Sequence, residues 1–294
     1  MEKWKTLGYY NGVFGPLEEM TVPMNDRACY FGDGVYEAAY VGNYRIFTLD
    51  DHVDRIYRSA SMAEIEIPCT KDEMKAVLTE MAQKLESPEQ VIYWQVTRGT
   101  AMRAHVYPDR SVKANLWITC TPKAIVNAYR KIRVITAEDT RFFHCNIKTL
   151  NLMVNCMLSE QAKKAGCEEA IQHRGDRVTE GTHSNVSILK DGVFQTAPTD
   201  NLILPGITRA HLIEICRRLS VPVREEPYTV QELMDADEII ISSSTGFARS
   251  VCEADGRPVG GKAPKLLKAL QDALREEFIA DTGIDPGLVP SGDS

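Results

Sequence analysis

The chain has 294 residues, with 34 Lys+Arg against 41 Asp+Glu and a formal net charge of −7. Hydrophobic residues make up 44% and charged residues 26%, ordinary globular usage that excludes a wholly disordered or collagenous chain. At ~150 residues per domain the length predicts two domains, large enough that no disulfide or metal is needed to hold a core.

The mild acidity, with no long Lys/Arg run, speaks against partners such as nucleic acid or a membrane surface. MEKWKTLGYYNG is too polar for a signal-peptide core, and no stretch reaches the ~18 apolar residues of a membrane span. The expectation is a soluble, cytoplasmic protein. Its eight cysteines, with no C-x-x-C, then read as reduced thiols, mostly small core hydrophobes. Its six histidines show no H-E-x-x-H spacing, so no metal site is expected.

Asn11-Gly12 predicts a first hairpin, and Gly42-Asn43, between Tyr36–Val41 and Tyr44–Leu49, predicts a second. Asp50 and Asp51 open a helix with Val53, Ile56, Tyr57 and Ala60 at helical spacing. Thr70-x-x-Glu73 is a capping box, and Met74, Val77, Leu78, Met81 and Leu85 form the stripe behind it. Strands over Gln90–Thr97 and Val112–Thr121 complete an α+β N-terminal part. The predicted boundaries are 1–121 for that domain, 122–129 for a linker, 130–284 for a second domain, and 285–294 for a disordered Pro/Gly/Ser tail.

In the second part, Lys131–Thr136 predicts a strand and 141–148 a loop. Leu150, Met153, Val154, Met157 and Leu158 line the expected buried face of a helix ended by Gly166. Strands follow over Glu169–His173, Arg177–Glu180, Val186–Leu189 and Val193–Thr196. A helix over Thr208–Leu219, a strand over Glu238–Ser242 and a last helix over Lys265–Ile279 close the chain.

Lys148 lies between a strand and a helix start, among Ile147, Leu150 and Leu152. A positive helix end and apolar surroundings both disfavour an ammonium, which is how an amine becomes a nucleophile for Schiff-base chemistry. The alternative is a lysine that snorkels to solvent. Glu180 ends a strand before Gly181-Thr182-His183-Ser184-Asn185, a loop that could orient a polar ring or merely turn a hairpin. Gly206-Ile207-Thr208 opens a helix whose free N–H groups suit a phosphate, and Ser242–Gly246 is a second anion loop. Neither G-x-x-x-x-G-K-[ST] nor G-x-G-x-x-G occurs.

Seven runs stand in order: FGDGVYE (31–37), DDHVDRIYRSA (50–60), VTRGTAMRAHVYPD (96–109), CNIKTLNLM (145–153), VTEGTHSN (178–185), LPGITR (204–209) and the strand with SSST (239–245). Together they resemble the fold-type IV pyridoxal-phosphate enzymes, and among these the D-amino-acid aminotransferases. The resemblance implies an α+β chain of two domains, a small N-terminal α/β sandwich and a larger C-terminal pseudo-barrel that binds pyridoxal 5′-phosphate. It implies a homodimer with shared active sites, transferring amino groups between D-alanine or D-glutamate and 2-oxo acids. Branched-chain L-aminotransferase and aminodeoxychorismate lyase are the alternatives on the same scaffold.

Position by position, Lys148 resembles the lysine that bonds the cofactor and shuttles the α-proton, and Glu180 the carboxylate paired with the pyridinium nitrogen. Arg55, Ser184, Ile207, Thr208 and Ser244 are similar to the phosphate grip and its neighbours, and Leu204 to the residue against the ring face. Tyr36, with Arg103 and His105 from the other subunit, looks like the trap for the substrate carboxylate. Arg-x-His separates this branch from the branched-chain relatives. His183 stands where the family often has another serine, and Tyr40 where relatives often carry a basic residue.

Overall fold

The computed structural model describes residues 3–288. Contacts divide the chain into two compact units: Met1–Ile125 with Ile147–Asn151 and Ala280–Ile284, and Val126–Asn146 with Leu152–Ile279 and Asp285–Ser294.

In the first unit, strands β1 (Leu7–Tyr10), β2 (Val13–Gly15), β3 (Gly34–Gly42), β4 (Arg45–Ile46), β5 (Glu89–Thr97) and β6 (Asn115–Pro122) form one sheet. Their order is β2-β1-β6-β5-β3-β4, and every pairing is antiparallel. The helices are α1 (Arg27–Phe31), α2 (Leu49–Met62) and α3 (Lys71–Lys84). The capping box of α3 forms as expected: Thr70 Oγ1 accepts from Glu73 N, and Thr70 N donates to Glu73 Oε2. Met74, Leu78 and Met81 join Val53, Ile56, Ile92 and Trp94 in one core under the sheet. The strand expected over Tyr44–Leu49 shrinks to Arg45–Ile46, because Thr48 turns left-handed at φ 51° and α2 starts at Leu49.

The second unit is built on β7 (Lys131–Glu138), β8 (Glu169–Arg174), β9 (Arg177–Gly181), β10 (Asn185–Lys190), β11 (Val193–Thr196), β12 (Val223–Glu225), β13 (Glu238–Ser243), β14 (Phe247–Ala254) and β15 (Arg257–Pro258). The sheet runs β12-β11-β10-β13-β14-β7-β8-β9, with β15 beside β14. Its helices are α4 (Met153–Lys164), α5 (Ile207–Arg218), α6 (Val230–Met234) and α7 (Pro264–Thr282) as far as Ile279. Val134, Ile171, Val186, Ile239, Ile241 and Val251 are buried together as its core. The α+β class therefore stands. No described helix is long and apolar enough to cross a membrane.

Several expectations change. Met153 and Met157, expected on the buried face of α4, are 74% and 64% exposed, and Leu150 precedes the helix. Periodicity put these residues on one face, but among the described residues of α4 only Ala162 is fully covered. Strand β14 escaped prediction because Arg249 and Glu253 break up its apolar residues. Of the eight cysteines only Cys120, Cys145 and Cys216 are buried, so most are not core residues.

The tail expected to be disordered begins as an ordered turn. Arg275 Nε donates to Asp285 Oδ1 at 2.5 Å, Gly287 N donates to the same oxygen, and Ala128 N donates to Pro286 O. Residues 289–294 of that expectation lie outside the described residues. The segment carrying Lys148, expected with the second domain, groups with the first unit through short backbone pairing. Tyr36 N donates to Lys148 O, Leu150 N donates to Gly34 O, and Thr149 bridges Val35.

Candidate active site

In the first unit, β3 alternates its side chains between two faces. Tyr36 points to the face away from the helices and stacks on Tyr93, with ring centroids 5.5 Å apart and 24° between planes. Lys148 rests on this platform, its Nζ 4.2 Å from the Tyr36 ring centroid, a cation–π distance. Its backbone N donates to Ser59 Oγ at 3.3 Å. The helix expected to begin beside Lys148 starts only at Met153, so residues 149–152 separate the amine from that helix end.

Glu37, the next residue of β3, faces α2 and is fully buried. Arg55 grips it twice, Nε to Oε1 at 2.6 Å and Nη2 to Oε2 at 2.8 Å, and His52 Nδ1 lies 2.7 Å from Oε2. Burial alone would raise the Glu37 pKa, but the Arg55 guanidinium and His52 overcome it and hold the carboxyl well below the usual range. Burial pushes His52 down, with Glu37 opposing. Neither acid nor imidazole was singled out in the sequence. The available signal was the i, i+3 spacing of His52 and Arg55 on one helix face. Arg103 and His105 lie on an exposed loop, both against the Phe31 ring. Tyr40 is fully buried.

In the second unit, Glu180 is the next-to-last residue of β9 and is 5% exposed. Arg141 Nη1 donates to its Oε1 at 2.6 Å, while Asn185 Nδ2 and Leu204 N donate to Oε2 at 3.1 and 2.9 Å. These three bonds leave about one lone-pair site of the carboxylate open. Burial pushes the Glu180 pKa up to about 6, despite the opposing charge of Arg141. The sequence reading missed Arg141 and Asn185. Leu204, expected against a ring face, contributes its backbone amide to Glu180.

The Gly206-Ile207-Thr208 segment opens α5 with no side-chain cap, as an anion cup would. Glycine is required at 206 because a Cβ would stand 1.9 Å from Asn185 Oδ1. Thr208 Oγ1 is buried without a hydrogen-bond partner, and so are Ser242 Oγ and Ser243 Oγ. Buried hydroxyls left unpaired are what a phosphate group would satisfy. Ser244 lies in the turn after β13, one residue beyond these orphaned hydroxyls. Ser184 does not face an open position, since its Oγ donates to Glu169 Oε2 at 2.7 Å. The residues present thus fit a phosphorylated pyridinium cofactor: a buried acid with one open site, an uncapped helix start and unpaired hydroxyls. No group of three or more His, Cys, Asp or Glu among the described residues is placed to hold a metal ion.

Residues 34–254 match the family model described as amino-transferase class IV. The chain is 38% identical to the D-alanine aminotransferase of Listeria monocytogenes over 271 residues, covering 90% of this chain and 94% of that one. It is equally identical to the D-alanine aminotransferase of Staphylococcus aureus over 285 residues, 94% of this chain and 99% of that one. Among solved structures, the branched-chain amino acid aminotransferase of Escherichia coli superposes with a TM-score of 0.85 at 22% identity, over 96% of both chains. A second branched-chain amino acid aminotransferase, from T.th. and in complex with N-(5′-phosphopyridoxyl)-L-glutamate, superposes with a TM-score of 0.83 at 26% identity. That match also covers 96% of both chains.

Proposed function

Because the chain belongs to the class IV amino-transferase family, we propose that it is a D-amino-acid aminotransferase that uses pyridoxal 5′-phosphate. It moves an amino group between D-alanine or D-glutamate and a 2-oxo acid such as pyruvate or 2-oxoglutarate. The observation that carries the chemistry is Lys148, an amine held over an aromatic ring by a backbone tied to β3.

When bound, the cofactor supplies a carbonyl for amine condensation and a conjugated ring that withdraws electrons from the substrate Cα. Lys148 Nζ, tethered beside Tyr36, is the base that would take the proton from the substrate Cα and deliver it to the cofactor carbon that carried the carbonyl. Glu180, ionised above about pH 6, uses its open lone pair to hold the proton on the ring nitrogen. The Ile207 and Thr208 amides, the Thr208 hydroxyl and the serines at 242–244 bind the phosphate, while Arg55, which the resemblance assigns to the same grip, is held on Glu37. Leu204 lies against the ring, and Ser184 shapes the turn beside Glu180.

Tyr36, with Arg103 and His105 of a second copy, binds the substrate carboxylate and so selects the D enantiomer. The homodimer this requires is supported by the largely exposed side chains of Met102, Val106, Met153 and Met157. The eight unpaired thiols accord with a reducing compartment, the cytoplasm.

A single-turnover spectrum tests the reading. Purified enzyme without 2-oxo acid receives D-alanine in one cuvette and L-leucine in another. D-alanine alone should bleach the cofactor's visible band and leave its pyridoxamine form. Bleaching by L-leucine alone would move the enzyme to the branched-chain activity.

A further inference from the structure

Glu169, at the start of β8, is a carboxylate with no exposed surface, and no step above uses it. Burying such a charge is costly unless donors surround it. Those donors come almost entirely from one turn. Thr182 N and Thr182 Oγ1 donate to Glu169 Oε1 at 3.0 and 2.5 Å, Ser184 Oγ donates to Oε2 at 2.7 Å, and His183 Nδ1 lies 3.2 Å from Oε2.

The turn is the direct link between Glu180 and Asn185, and it closes on itself through a bond from Gly181 N to Ser184 O at 2.8 Å. It leaves no spare room, since a Cβ on Gly181 would lie 2.1 Å from Ser184 Oγ and 3.0 Å from Glu169 Oε2. On the other side, Ser159 Oγ of α4 donates to Thr182 Oγ1 at 2.8 Å, and Asn155 Nδ2 donates to Thr182 O. Asn185, where the turn ends, in turn steadies Glu180 Oε2 and Leu204 O.

We propose that Glu169 is a positioning residue: it gathers the 181–184 turn onto its carboxylate and thereby fixes the bearing of Glu180 and Asn185. The histidine at 183 adds a ring nitrogen, Nδ1, 3.2 Å from Oε2 of that buried acid. This assignment rests on the reading of Glu180 as the acid that meets the cofactor ring. The 2.5 Å bond from Thr182 and the depressed pKa of Glu169, which its donors and His183 impose against burial, both fit a carboxylate kept ionised.

The test uses the full-length chain with Glu169→Gln, which keeps the shape and removes the charge. Losing charge-assisted bonds should weaken pyridoxal 5′-phosphate binding about tenfold or more, read by titrating cofactor absorbance. Amide exchange at Thr182–Asn185 should quicken by about the same factor, and kcat for D-alanine should fall with KM little changed. Exchange that quickens while cofactor affinity and kcat stay at wild-type values would make Glu169 a fold residue only and overturn the proposal. So would no change in either. If Glu169→Gln does not fold, Thr182→Val decides in its place, with the same readouts and a smaller expected effect. Should the unaltered chain take no pyridoxal 5′-phosphate, the cofactor reading falls. Glu169 is then judged by the 13C titration of the Glu180 carboxyl: a midpoint displaced in Glu169→Gln supports positioning, and an unmoved one rejects it.

Discussion

At Glu180, burial and pairing oppose one another, and the balance can be measured. Its pKa in the folded chain is about 6, raised above its ordinary value of 4.5 chiefly by burial. A carboxyl whose folded pKa is raised binds its proton more tightly folded than unfolded. Its contribution to stability is therefore complete below about pH 4.5 and is lost as pH rises through 6. The shift corresponds to about 2 kcal/mol across that window. Melting curves of the cofactor-free protein at several pH values should show wild type losing stability relative to Glu180→Gln between about pH 4.5 and 6.5. Parallel curves would mean that Glu180 is solvated and that its burial costs nothing. At this scale the sequence offered Lys148 and Glu180 only through the resemblance of whole runs, since their immediate neighbours fit a solvated lysine and a plain turn equally well, while the Gly206-Ile207-Thr208 helix start was legible locally. Glu37, His52 and Arg141 were not, because each acquires its role only when β3 meets α2, or when the 141 loop meets β9.

Among the elements, α3 was legible because its capping box and apolar stripe describe the same helix. Helix α4 shows where such reasoning stops: a period of about 3.6 tells which residues share a face, and nothing about what covers it. Met153 and Met157 stand one turn apart on an exposed face, beside exposed Cys156. In the proposed homodimer a second copy covers that face. Met153→Lys with Met157→Lys would then put two charges into an apolar contact at a cost of several kcal/mol. Light scattering should find the double variant shifted toward monomer at micromolar concentration, with its helix content unchanged by circular dichroism. A variant that stays dimeric would show that this face of α4 is simply solvated. Strand β14 and the short helices α1 and α6 were hidden for a different reason. Five residues carry too little periodicity to register, and β14 owes its place to hydrogen bonds from β13 and β7 on either side.

For the whole molecule, the enantiomer preference depends on whether Arg103 and His105 serve their own chain or a neighbour. Both are exposed and lie against Phe31, in a loop that also exposes Met102, Val106 and Tyr107. If they act across a dimer, a complete site draws Lys148 from one copy and the Arg103/His105 pair from the other. Lys148→Ala alone, and Arg103→Ala with His105→Ala together, should each lower D-alanine turnover by orders of magnitude. Unfolding and refolding the two variants together should restore it in part. About half of the randomly formed dimers are mixed, and each mixed dimer holds one site with all three residues intact and one with none. About a quarter of wild-type activity should therefore return, although each parent alone falls orders of magnitude below wild type. Residues acting within their own chain would yield no recovery at any mixing ratio. The carboxylate trap would then have to be sought among residues nearer Tyr36, such as Tyr93, which already stacks against it.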